Sequence, residues 1–223
     1  MLFVIKLDRK LFSQDVGGRM EVVISLELPI NLHDLSLSDI CYNFHVFMRI
    51  FTAISLPKEI KDRATQIFQG RLPVPYINTT NLHITLNFFG ELIDDEQKKV
   101  KEIFSQAVIE AKPFEIQFDK LVKFHQQIHM TLKPNPALGK LQSQLEVLFH
   151  DSGFLFQDRI YYPHVKLSNL HMDKVMFKDR KIEDFPNEEL RQLSFMADRV
   201  VLYESKLLLH HAHHTQLIEI TLK

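Results

Sequence analysis

The chain has 223 residues, 45% of them hydrophobic and 25% charged, with a formal net charge of −1. That length bounds it to one large domain or two small lobes, and the near-neutral balance excludes an extended basic face for long duplex nucleic acid; a small charged ligand or a nucleic-acid end stays compatible. Cys41 is the only cysteine, which excludes an internal disulfide and a cysteine-based zinc cluster and fits a reducing, cytoplasmic compartment; no apolar run approaches the ~20 residues of a membrane span.

Residues 1–47 read as an atypical leader. They hold apolar patches such as Val22-Val23-Ile24 but no sustained period, so they are expected to add little to the core, with Met48 as the expected functional start. From Met48 the pattern becomes regular. Arg49 to Ser55 is rich in β-branched and aromatic residues and reads as a strand. Pro57 and Gly70 suit the start and end of a helix whose inner face is Ile60, Ala64, Ile67 and Phe68. Asn81 to Phe88 is the next strand, with Leu82, Ile84 and Leu86 on one face and His83, Thr85 and Asn87 on the other.

A second helix is expected after Asp94, which can cap it with Gln97 as partner, and Val100, Ile103, Phe104, Ala107 and Ala111 form its buried stripe. Strands follow at Phe114 to Phe118 and Gln127 to Leu132. A third helix carries Leu138, Leu141, Leu145, Leu148 and Phe149 and ends at Gly153. A strand at Tyr161 to Ser168, a charged stretch from Asp173 to Glu189, and a terminal hairpin of Arg199 to Ser205 with Gln216 to Leu222 complete the chain. The interleaving lacks a regular βαβ rhythm, so the fold class is α+β with largely antiparallel sheets.

Two segments can carry chemistry. His83-Ile-Thr-Leu86 and His164-Val-Lys-Leu167 each place an imidazole and a second polar group two residues apart on a strand. Both side chains then leave the same face, roughly 7 Å apart. An imidazole moves protons near neutral pH, and its neighbour can hold a phosphate oxygen. Two such grips facing each other supply the base and the acid that in-line attack on a phosphodiester needs.

His129-Met-Thr-Leu132 has the same spelling but lacks a preceding proline and reads as a sheet-face histidine. It is the substitute for His164 should that residue fail. His210, His211, His213 and His214 form a histidine run with no carboxylate or cysteine in it. It falls where a hairpin loop belongs and reads as solvated rather than as a metal site.

Four segments in order carry a family resemblance. Met48-Arg-Ile-Phe-Thr-Ala-Ile-Ser-Leu-Pro57, Asn81-Leu-His-Ile-Thr-Leu-Asn-Phe-Phe-Gly90, Pro163-His-Val-Lys-Leu-Ser168 and Val201-Leu-Tyr-Glu-Ser205 resemble the two-histidine (2H) phosphoesterases of the 2'-5' RNA ligase-like kind. The resemblance covers 48–223. It implies a bilobal fold, with two mostly antiparallel sheets flanked by helices and both His motifs in a central cleft. It also implies a metal-free and cofactor-free enzyme that opens RNA 2',3'-cyclic phosphate ends to 2'-phosphomonoesters. Some members also join or split 2'-5' linkages in tRNA halves.

By that resemblance His83 and His164 are catalytic, His164 as base and His83 as acid, and Thr85 and Lys166 hold the phosphate. Lys166 stands where the family has a second Thr, and Asn169 where many members carry Arg. Lys166 is expected to disfavour a charged His164. A phosphodiesterase for a small cyclic nucleotide and a non-catalytic RNA-end module remain open as alternatives, and a monomer is expected.

Overall fold

The computed structural model describes residues 3–7, 22–26, 43–68, 71–72, 79–107, 109–125, 127–156, 160–169, 187–207 and 212–223. Strands β1 (Phe3–Leu7), β2 (Val22–Leu26) and β3 (Asn43–Val46) pair as a three-stranded antiparallel sheet. The rest of the fold runs β4 (Met48–Ser55), α1 (Lys58–Phe68), β5 (His83–Leu92), α2 (Asp94–Gln106), β6 (Phe114–Phe124), β7 (Gln127–Leu132), α3 (Pro136–Asp151), β8 (His164–Asn169), α4 (Glu188–Arg191), β9 (Ser194–Ala197), β10 (Arg199–Leu207) and β11 (Ala212–Thr221). Gly70, the 173–186 part of the charged stretch, and His210 and His211 lie outside the described residues.

These last eight strands form one antiparallel sheet in the order β11-β10-β4-β5-β8-β7-β6-β9. Two sheets were expected, one for each lobe, and the structure corrects this. Ile84 of β5 and Val165 of β8 pair directly. Both are fully buried, so the two four-stranded halves share one core and merge edge to edge. Each half contains a strand–helix–strand unit, β4-α1-β5 and β7-α3-β8. The sheet also curls: the Asn81 side-chain amide donates to the Ala212 carbonyl, drawing the β10–β11 hairpin toward the start of β5.

One face of the sheet is the core. Ile84, Leu82, Leu86, Val165, Met130 and Ile128 point into it, against Val100 and Phe104 of α2 and Leu138, Leu141, Leu145 and Phe149 of α3. The Phe-rich composition is spent here. Phe89 meets Phe149 edge-on at 4.6 Å between centroids, and truncating a ring like Phe149 costs roughly 3–5 kcal/mol.

The helix ends follow local chemistry. Asn135 caps α3 by accepting from the Leu138 amide at 3.1 Å, and Gly153 leaves it at φ +90°. At α2 the cap differs from expectation. Ile93 precedes the helix, Glu96 accepts the Ile93 amide at 3.0 Å, and Gln97 donates to the Leu92 carbonyl at 2.8 Å.

Candidate active site

Residues opposite the core face of β5 and β8 line a second face. Ile84 and Val165 point into the core, so strand alternation sends His83, Thr85, His164 and Lys166 out of the other side. Antiparallel alignment about that pair sets Thr85 beside His164 and His83 beside Lys166. The four residues therefore meet on one patch across the seam between the halves. Asn87 does not join them. A β-bulge in β5 shifts the register, and Asn87 lies buried opposite Thr52, whose hydroxyl donates to its Oδ1 at 3.2 Å.

The two histidines are held alike. His83 Nδ1 lies 2.5 Å from the Asn81 carbonyl, and His164 Nδ1 lies 2.8 Å from the Tyr162 carbonyl. A carbonyl only accepts, so Nδ1 carries the proton in both rings. Nε2 is then the atom each imidazole offers to a ligand, as acceptor when neutral and donor when charged.

Each half adds a second imidazole. The His83 ring sits 4.9 Å from Phe51, 6.3 Å from Tyr203 and 5.1 Å from His214. On the other side His129 stacks on His164 at 4.0 Å with 15° between planes. This follows from the β7–β8 register, in which His129 opposes Lys166 and Thr131 opposes His164. Both extra rings hold a buried Nδ1 with no partner among the described residues, and His129 Nε2 lies 2.8 Å from Gln127 Oε1.

Burial dominates the electrostatics. It pushes His83 down to about 4, against the Asn81 carbonyl, which favours the charged ring; the charges of His214, Lys61 and His164 add to the depression. His129 falls to about 4 through burial, then through the charges of His164 and Lys166. His214 falls to about 4 through burial, then through His213, Arg49 and Lys166. Lys166 itself is lowered by burial and by Arg49. The charge of Lys166 thus acts on His129 and His214. Burial, ahead of any neighbouring charge, sets the basicity of His83.

Thr131 does not replace the hydroxyl that Lys166 displaces, because its Oγ1 donates to the Lys120 carbonyl at 3.0 Å and accepts the Lys120 amide at 3.3 Å. His214, expected in a solvated loop, is instead within β11 and part of the patch. Arg49, Phe51 and Tyr203 were also missed as site residues. Their strand alternation marks them as sharing a face, but nothing local says that face meets His83. Among the described residues no three His, Cys, Asp or Glu side chains converge as a metal-ligand set, and no helix is long and apolar enough to cross a membrane.

Comparisons with known proteins fall on the same segment. Residues 56–207, which include both His-bearing strands, match the model of the 2'-5' RNA ligase superfamily. An RNA 2',3'-cyclic phosphodiesterase of Bacillus subtilis is 25% identical over 168 residues, covering 69% of this chain and 86% of that protein. One from Methanocaldococcus jannaschii is 27% identical over 169 residues, covering 72% and 92%. Among solved structures, Escherichia coli LigT complexed with 3'-AMP superimposes with a TM-score of 0.64 at 21% identity, over 79% of this chain and 98% of that one. TT0787 of Thermus thermophilus gives 0.59 at 19% identity, over 78% and 98%. These likenesses carry the fold, and the family match spans more than half of the chain. The chain belongs to the 2'-5' RNA ligase superfamily of 2H phosphoesterases.

Proposed function

We propose that this protein hydrolyses the 2',3'-cyclic phosphate at RNA ends to a 2'-phosphomonoester, without a metal, through His83 and His164. The observation that carries this reading is the matched pair of imidazoles on adjacent strands, each with Nδ1 fixed by the carbonyl two residues back. Thr85 and Lys166, on the same face, hold the non-bridging oxygens. The relatives named RNA 2',3'-cyclic phosphodiesterase support the substrate class. The lone Cys41 suits a reducing, cytoplasmic compartment.

The roles follow from the local physics. Burial keeps His83 neutral with a free Nε2 lone pair, so His83 is the general base. It takes a proton from water as the water oxygen bonds to phosphorus. The phosphorus–O3' bond breaks, and O3' receives a proton from His164 Nε2. His129, stacked on the His164 ring, holds its plane for that transfer. This order is the reverse of the one implied by the resemblance, for which Lys166 beside His164 was an added reason. Running the steps backward joins a 2'-phosphate to O3'; with a 5'-hydroxyl in place of water, the same groups make a 2'-5' linkage.

A second reading, a non-catalytic RNA-end module, is favoured by Lys166 at the second Thr position with Thr131 already engaged. Incubating a dinucleotide 2',3'-cyclic phosphate with the protein and chelator, and following the product by phosphorus NMR, separates the two. The expected result is a 2'-phosphomonoester, with His83→Ala and His164→Ala each losing about 10²–10⁴-fold. Tight binding without turnover selects the module. A loss of turnover with chelator that zinc restores overturns the metal-free mechanism.

A further inference from the structure

The patch continues beyond the two catalytic imidazoles. Arg49 of β4 pairs with Ser205 of β10, and Ser205 pairs with His214 of β11. Residues directly opposite on neighbouring strands share a face, so Arg49, Ser205 and His214 form a row across the sheet, beside Phe51 and Tyr203. His214 closes the row against His83, with ring centroids 5.1 Å apart. The Arg49 guanidinium lies 4.8 Å from the centroid of the half-exposed Phe88 ring. That contact orients the guanidinium and leaves its N–H donors available.

Arg49, Ser205 and His214 bring donors and positive charge and no carboxylate of their own. Among the described residues no carboxylate forms an ion pair with Arg49 or Lys166. Glu91 opposes Arg49 in the register and so shares its face, yet among the described residues it forms no ion pair with Arg49. Among the described residues the buried His214 Nδ1 has no hydrogen-bond partner. The charges of Arg49 and Lys166 both act on His214, and that of Arg49 acts on Lys166, so these groups share one field. Lys166, assigned above to the scissile phosphate, lies within reach of the charge of Arg49 and acts in turn on His214. A second anion bound on the row would therefore lie next to the first.

We propose that Arg49, Ser205 and His214 form a second phosphate subsite, which takes the phosphate on O5' of the terminal nucleoside. This rests on the reading of the catalytic centre given above and narrows its substrate class. A nucleoside 2',3'-cyclic phosphate with a free 5'-hydroxyl fills only one subsite. A 5'-phosphorylated one fills both, and so does an oligonucleotide end, whose last internal phosphodiester is attached to the same O5'. An interior or terminal 5'-phosphate thus presents one chemistry to the row.

The test compares two ligands on the full chain by titration calorimetry, adenosine 2'-monophosphate and adenosine 2',5'-bisphosphate. One added charge-assisted contact set predicts about tenfold tighter binding of the bisphosphate, shrinking with added salt. Arg49→Gln and His214→Gln are each expected to cut that advantage to about twofold or less. The affinity for the monophosphate reports whether each variant has kept its site. An advantage absent in the wild type, or an equal loss of both ligands in the two variants, overturns the subsite, and so does no measurable binding of the bisphosphate.

Turnover separates the sources. Adenosine 2',3'-cyclic phosphate, its 5'-phosphorylated form and a dinucleotide with the same end are compared by kcat/KM. Gains for both of the latter support the subsite. A gain for the dinucleotide alone assigns the effect to the neighbouring nucleoside and overturns it. Absence of turnover for all three defeats the catalytic reading, a result that the binding ratio does not depend on.

Discussion

If burial sets the chemistry of His83, the enzyme should work far into the acid range. The ring is lowered from its usual 6.5 to about 4, a gap worth roughly 3 kcal/mol in favour of the neutral form. The acid limb of kcat/KM reports the base of the free enzyme, so it should fall near pH 4. Phe51 and Tyr203 form the wall that excludes water, their rings stacked at 5.3 Å. Tyr203→Ala opens this wall from its half-buried side and leaves the backbone pairing of β10 in place. Recovering about one pH unit, close to 1.4 kcal/mol of lost hydration, should move the limb toward pH 5. The assay is the pH dependence of kcat/KM on a dinucleotide cyclic phosphate at constant ionic strength. NMR titration of the His83 Cε1 proton supplies the same number without turnover. A wild-type limb near pH 6.5 would refute the burial argument. So would a folded Tyr203→Ala variant whose limb stays near pH 4.

Other expectations follow from the same patch. His129→Ala removes the ring stacked on His164, and an aromatic pair is worth about 0.5–1.5 kcal/mol, so kcat should fall a few-fold while His129→Phe keeps more of it; equal kcat in both variants argues against a positioning role. His83, His129 and His214 are all lowered to about 4. Each therefore contributes stability that is fully present above the unfolded value near 6.5 and lost as pH falls through 4. The slope is at most about 1.4 kcal/mol per pH unit for each ring, and urea unfolding between pH 7 and 4 should show it, reduced in His129→Gln. Lys166→Thr should leave the acid limb in place, because the charge of Lys166 acts on His129 and His214; a limb that moves upward by a full unit would restore the lysine as its cause. A chain of residues 48–223 begins at the first strand of the eight-stranded sheet and should keep its fold by circular dichroism and its turnover; loss of either shows that the first 47 residues are structural.

Local pattern in the sequence determined much of what positions the site. Apolar residues at helical spacing mark α1, α2 and α3, since a helix must bury one stripe. Alternation in β5 puts His83 and Thr85 on one face and Ile84 on the other, because successive strand side chains point oppositely. The four family segments, in order, led to the superfamily that the comparisons show.

What period-2 alternation does not contain is the identity of the neighbouring strand. The Ile84–Val165 pair that turns two expected sheets into one, the bulge that turns Asn87 away, and the short edge strand β9 were all invisible locally. So was the company His83 and His164 keep. His214 reaches His83 because the sheet curls and Asn81 catches Ala212, and His129 reaches His164 because β7 lies beside β8. Those contacts join residues 131 and 35 positions apart respectively. They depend on which strand edges hydrogen-bond and which faces share a core, and that choice is made by the packing of the whole chain.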